Sequence, residues 1–255
     1  MVREKEIELW LVWKEPQSRQ RYVVGKLWYE NDYKFRYIHS SEDCARKINH
    51  CGIDRAEKLG FTRLVPFPEM QVYSNTKLFY IFERRLLNRR RPDFAKLARE
   101  LGLNESCTSL ELLQATGGRL ATDTIEFVTP FIFSRDGDFD VDFNVAGWRH
   151  YQGEQAINEL SPGTLIRLVL EPDNPYDSFA IQVRSPSDIM LGYVPVYYSR
   201  YLDEVVRSGE YEARVLRVGP PGDPQIRLIV KVTGWAPYLA QVVEDLQRRK
   251  KAAIQ

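Results

Sequence analysis

EPDNPYDSFAIQV, residues 171–183, reads as strand, turn, strand. Residues 165–170 before it are apolar and β-prone, and Ile181 and Val183 resume the alternation after it. Pro172 and Pro175 fix φ, and Asp173 and Asn174 bond to their own backbone, so the middle is a turn. A plain hairpin needs about two to five loop residues, often with Gly. This turn is longer, has no Gly, and carries Tyr176 and Asp177 at its exit. An aromatic beside a carboxylate adds little to a turn and suits the holding of a ligand.

Outward from this stretch, residues 165–170, 179–183, 211–218 and 226–232 read as strands. Residues 196–208 read as a helix with Tyr198, Leu202, Val205 and Val206 inward, stopped at Gly209, and 237–251 as a terminal helix. Ahead of them SRDGDFDVD, residues 134–142, is short, acidic and glycine-bearing and is taken as a linker. Its Asp136, Asp138, Asp140 and Asp142 hint at a calcium loop, but the Gly at position six and Glu at position twelve of an EF-hand are missing.

The first half begins with alternating strands at 6–13, 22–29 and 33–39, an antiparallel meander expected to expose many tyrosines. Ser41 before Glu42 and Asp43 predicts a short helix over 41–49. Further helices are expected at 78–87, after Pro92, and at 108–115, then a last strand at 125–133. Strands precede helices here, so the fold class is α+β. The expected division is 1–133, linker 134–142, and 143–255.

Across 255 residues, 44% are hydrophobic and 12% aromatic, ample for real cores, and the net charge of +1 excludes a histone-like electrostatic binder. The start has no long apolar region and no run approaches a membrane span, so neither signal peptide nor membrane segment is expected. Cys44, Cys51 and Cys107 form no disulfide framework, which points to a reduced cytoplasm. His39, Cys44, His50 and Cys51 lie close together, but their spacing matches no usual zinc pattern, and no cofactor is expected. No hydrolase or phosphate-loop motif occurs, so no enzyme activity is expected.

The basic run Arg84, Arg85, Arg89, Arg90, Arg91 is either a solvated face or a contact for phosphate or an acidic partner, for which guanidinium groups are suited. Residues 143–243 hold nine Lys/Arg against eleven Asp/Glu, too few cations to grip a duplex backbone. The end of a single strand demands less: stacking on aromatics and a carboxylate to read the terminal hydroxyl. Tyr151, Tyr176 and Tyr193 are the stacking candidates, Asp177 the acceptor, and Arg149 the phosphate contact.

Gly147-Trp148-Arg149-His150-Tyr151-Gln152-Gly153, Pro162-Gly163, the 171–177 turn, Ala180-Ile181-Gln182-Val183 and Leu191-Gly192-Tyr193-Val194-Pro195 follow one another in the order of a HIRAN domain, which this half resembles. HIRAN modules are small OB-like β-barrels, and those of fork-remodelling helicases capture 3′ ends of single-stranded DNA. The resemblance implies that Tyr176 and Asp177 hold the terminal nucleoside, that Arg149, His150 and Tyr151 line the same pocket, and that Tyr193 borders it. At His150 those helicases carry a second aromatic. The competing reading is structural: Tyr176 plugs the barrel end, Asp177 caps the next strand, and Tyr193 packs with Tyr197 and Tyr198.

LFYIFERRLLNRRRPDFAKLARELGL (78–103), LELLQATGG (110–118) and TIEFV (124–128) resemble the N-terminal subdomain of HipA-type toxin kinases, without the kinase body. The leading expectation is a non-catalytic protein that recognises single-stranded DNA, at 3′-hydroxyl ends, in genome maintenance or defence. A toxin–antitoxin-like interaction module that docks a protein partner is the second, and a metal-dependent nuclease the third.

Overall fold

The computed structural model describes residues 7–42, 45, 47–120, 124–134, 136–219 and 227–239. It has the expected α+β class and divides into two compact units. The first comprises Met1–Ala45 and His50–Pro130, and the second Arg46–Asn49 and Phe131–Gln255. No helix among the described residues is long and apolar enough to cross a membrane.

In the first unit β1 (Glu8–Lys14), β2 (Arg21–Glu30), β3 (Asp32–Tyr37), β4 (Tyr73–Asn75) and β5 (Ile125–Val128) form one antiparallel sheet in the order β4-β3-β2-β1-β5. Asn31, with φ 63, turns β2 into β3, a left-handed conformation that Asn tolerates better than most residues. Leu9, Leu11, Leu27, Phe35, Tyr37, Phe67, Phe82, Leu110 and Phe127 fill the core. The tyrosines of the meander are not exposed as expected. Tyr33 and Tyr37 are buried, and the Tyr37 hydroxyl accepts from the Leu64 amide at 2.8 Å, which lets a phenol sit inside.

Helices α1 (Ile53–Lys58), α2 (Tyr80–Glu83), α3 (Phe94–Glu100) and α4 (Ser109–Thr116) complete this unit. Of the helix expected at 41–49, the described residues show only Ala45 in a 3-10 turn, its amide donating to the Glu42 carbonyl; residues 43, 44 and 46 lie outside the described residues. Glu42 is drawn to Arg36 at 2.7 Å and Ser41 to His39 at 2.7 Å, and the α-helix that follows begins later, at α1. The 78–87 helix shrinks to α2, and the 125–133 strand to β5. In α4, Thr108 and Glu111 satisfy each other's backbone amides in a capping box.

The second unit holds two three-stranded antiparallel sheets. One is β10 (Tyr211–Val218), β11 (Leu228–Trp235) and β6 (Asp138–Asn144), and the other β7 (Arg167–Leu170), β8 (Ile181–Arg184) and β9 (Met190–Tyr193), each in that order. Isolated bridges Ala146–Tyr193 and Leu165–Arg214 join the sheets at both ends, so the six strands follow one another around a ring. Helix α5 (Val196–Ser208) buries Tyr197, Tyr198, Leu202 and Val205. Of the helix expected at 237–251, all beyond residue 239 lies outside the described residues.

The acidic linker is corrected: residues 138–142 lie within β6, paired along its length with β11. Phe139, Val141 and Phe143 point into the core while Asp138, Asp140 and Asp142 point out. The apolar residues between the aspartates decide the structure, since burying three large side chains outweighs the exposed charge of the other face.

Candidate functional site

Two loops and one strand end build the site. After β6 the chain makes a 3-10 turn, Trp148–His150, whose Trp148 is buried and donates from Nε1 to Glu154 at 3.0 Å. Glu154 is held in turn by Arg227 at 2.9 Å. Gly153 lies against the Trp148 indole, where any Cβ would collide. This anchor leaves Arg149, His150 and Tyr151 at the surface. The same segment is tied to β9: Ala146 and Tyr193 exchange two backbone bonds of 2.8 Å, and the Gln152 amide donates to the Met190 carbonyl. Gly192 permits this approach, with φ 145 and its α-carbon facing the Ala146 carbonyl, where a side chain has no room.

The ring of Tyr151 meets that of Tyr193 edge to face at 5.5 Å. Tyr193 donates its hydroxyl to Glu171 at 2.7 Å, and Asn174 donates to the same carboxylate at 2.9 Å. Burial pushes the Tyr193 phenol up, and its bond to Glu171 adds to that. Burial alone would raise Glu171, but hydrogen bonds from Tyr193, Asn174 and Gln182 outweigh it and hold its carboxyl below the usual range. Tyr197 and Tyr198 pack on each other at 4.6 Å.

The 171–177 turn is pinned at its centre. Asn174 Oδ1 accepts from the amides of Tyr176 and Asp177, and the Ala180 amide donates to the Asp177 carbonyl. Tyr176 does not plug the barrel: it stands 78% exposed, while Tyr151 is 38% exposed. Asp177 is drawn toward α5. Its Oδ1 accepts from Asn49 Nδ2 at 2.8 Å and the Phe179 amide at 2.9 Å, and its Oδ2 from Ser199 Oγ at 3.0 Å. Asp177 therefore serves the turn, and its carboxylate is aimed by Asn49 and the Phe179 amide, while Ser199 shares its one hydroxyl hydrogen between Asp177 and the Val196 carbonyl at 2.8 Å.

Arg149 Nε donates to His150 Nε2 at 3.0 Å, a bond that only a neutral imidazole accepts. Arg200 on α5 lies over the Phe179 ring at 5.3 Å, which sets a cation beside the same turn. Sequence reading missed Glu171, Asn174, Ser199, Arg200 and Asn49. Asn174 was legible as a turn former, while Ser199 and Asn49 are joined to Asp177 only by the fold.

In the first unit the arginine run does not act as one patch. Arg85 is buried and donates to the carbonyls of Gly118 and Ile125. Arg89 bonds the carbonyls of Cys107 and Glu105, and Arg91 pairs with Asp93 at 2.8 Å. Arg84 and Arg90 are exposed, with Arg84 over the Tyr80 ring at 5.8 Å. His50 stacks on Tyr22 at 5.1 Å, and among the described residues no cluster of His, Cys, Asp or Glu could hold a metal ion.

A search of curated proteins finds no match. A crystal structure of the HIRAN domain of human HLTF is similar over 44% of this chain and 92% of that one, at 20% identity and a TM-score of 0.32. A crystal structure of a protein from Lactobacillus plantarum is similar over 38% and 97%, at 24% identity and a TM-score of 0.31. The HipA-type resemblance of the N-terminal half finds no support in these comparisons. The family model for the HIRAN domain matches residues 138–236, and this segment of the chain is a HIRAN domain.

Proposed function

We propose that the second unit binds single-stranded DNA at its 3′-hydroxyl end and does not cleave it, in cytoplasmic genome maintenance or defence. The observation that carries this reading is Tyr176, an aromatic held 78% exposed on a turn where Asn174 fixes the Tyr176 and Asp177 amides. Leaving so large a ring in water adds nothing to folding, whereas one base stacked on it contributes about 1–3 kcal/mol. Tyr151, braced by Tyr193, offers a second face. Arg149 and Arg200 supply the few cations that a strand end needs, and Asp177 an oriented acceptor. The HIRAN match at 138–236 supports a DNA-binding role.

The test is fluorescence anisotropy with matched oligonucleotides ending in 3′-hydroxyl or 3′-phosphate. The hydroxyl end should bind at least tenfold tighter, because an ionised carboxylate accepts from a hydroxyl but repels a phosphate. Equal affinities would sink the end-recognition reading. Labelled single-stranded, forked and duplex DNA incubated with magnesium or manganese should stay intact, and cleavage abolished by a point mutation would establish a nuclease instead. A protein partner for the first unit is the second reading, motivated by the exposed Val65, Val72 and Tyr80. A specific partner in pull-downs that Tyr80→Ser releases, with no DNA affinity, would favour it.

A further inference from the structure

Asp177 is approached from a part of the chain far from the HIRAN match. Residues 46–49 belong to the second unit although the chain on both sides of them belongs to the first. Two side chains pin this short strap to α5 and the turn. Lys47 pairs with Glu204 at 3.0 Å, and Asn49 Nδ2 donates to Asp177 Oδ1 at 2.8 Å and lies 3.3 Å from Ser199 Oγ.

A carboxylate offers about four in-plane acceptor positions, two on each oxygen. On Oδ1 both are taken, by Asn49 and the Phe179 amide. Oδ2 faces Ser199 Oγ at 3.0 Å, but the single hydroxyl hydrogen there is shared with the Val196 carbonyl at 2.8 Å. The open acceptor capacity therefore lies on Oδ2. The count matters because Ser199 is fully buried and the Phe179 amide belongs to the turn, so Asn49 is the donor that closes Oδ1.

We propose that Asn49 is a specificity-determining residue of the end site, acting through Asp177 and resting on the end-recognition reading. With Oδ1 closed, the carboxylate cannot rotate to share its charge between two visitors. It presents one oxygen, Oδ2, to a ligand that brings a hydroxyl hydrogen. Without Asn49, water or a cation occupies Oδ1, the carboxylate loosens, and the advantage of a hydroxyl end over a phosphate end shrinks.

The experiment measures the ratio of affinities for 3′-hydroxyl and 3′-phosphate oligonucleotides with the full chain. In Asn49→Ala the ratio should fall about fivefold, by loss of affinity for the hydroxyl end alone. In Asn49→Asp the fall should be larger, because a second carboxylate faces the first. Asn49→Gln keeps an amide donor and should restore part of the ratio. In an Asp177→Asn background, Asn49→Ala should change the ratio no further, as two residues acting through one interaction are non-additive. Melting curves check that each variant folds; if Asn49→Ala does not, Asn49→Gln and Asn49→Asp decide the matter between them. A wild-type ratio of one defeats the end-recognition reading and the Asn49 role with it. A wild-type preference that Asn49→Ala keeps in full defeats the Asn49 role alone, and an equal loss for both ends shows that Asn49 only supports the fold.

Discussion

At Tyr176 the requirements of folding and of binding come apart. Most of the residue stands in solvent, so Tyr176→Ala should leave the melting temperature nearly unchanged, within about 0.5 kcal/mol of stability. The same change should weaken DNA binding by about 1–3 kcal/mol, and Tyr176→Phe should restore it, since stacking needs the ring and not the hydroxyl. Equal affinity for Tyr176→Ala and wild type would remove this residue from the interface. Asp177→Asn probes the neighbouring group. The amide oxygen of the variant must sit where Oδ1 is, because two fixed donors face it. Its NH₂ then takes the Oδ2 side, where the Ser199 hydroxyl can turn round and accept. The fold survives, as a melting curve should show, but the one open acceptor becomes a donor. Binding to hydroxyl ends should fall roughly tenfold and the gap to phosphate ends should narrow.

Elements of secondary structure differed in how plainly the residues announced them. β3 alternates cleanly, β1 and β2 are apolar runs rich in β-branched and aromatic residues, and α5 has a sharp apolar face between Pro195 and Gly209, so all four were legible. β6 alternates just as well, but its charged half drew attention to composition instead of period. β9 was missed because Gly192 looks like a strand breaker until the Ala146 carbonyl is seen packed against it. β5 carries the most consequential charge of the first unit. Glu126 is buried between Arg21 and Arg119, at 2.7 and 2.6 Å. Burial pushes its carboxyl up, yet the two guanidinium groups outweigh that and hold it below the ordinary value. The folded pKa is therefore depressed, so its contribution to stability is full above the unfolded pKa and is lost as pH falls through the folded one. Glu126→Gln should cost about 3 kcal/mol at neutral pH, the low end for a broken buried pair because the arginines keep 22% and 23% exposure. The deficit relative to wild type should shrink in acid, as urea denaturation at several pH values would show; a constant deficit would contradict the charge argument.

For the molecule as a whole, a net charge of +1 sets the style of binding. With Arg200 beside the turn and Arg149 exposed on the neighbouring loop, the slope of log affinity against log salt should have a magnitude of roughly 1–2, far from that of a duplex binder. Arg84→Gln with Arg90→Gln should leave this slope unchanged, since the rest of that arginine run is occupied by carbonyls and Asp93. A flattened slope would return the first unit to the DNA interface. In the sequence Tyr151, Tyr176 and Tyr193 stand out only as one set of stacking candidates; the bracing of Tyr193 by Glu171 and the aiming of Asp177 depend on partners that only folding assembles. That dependence also has an order in time. Lys47 and Asn49 are synthesised 157 and 128 positions ahead of Glu204 and Asp177. During translation the strap leaves the ribosome with nothing to hold, and closing loops of that length is slow. A nascent chain that stops short of Asp177 has no acceptor, and one that stops short of Glu204 has an unclamped strap. Only polypeptides carried through α5 acquire the clamped turn, so interrupted synthesis should yield products that lack the proposed end site.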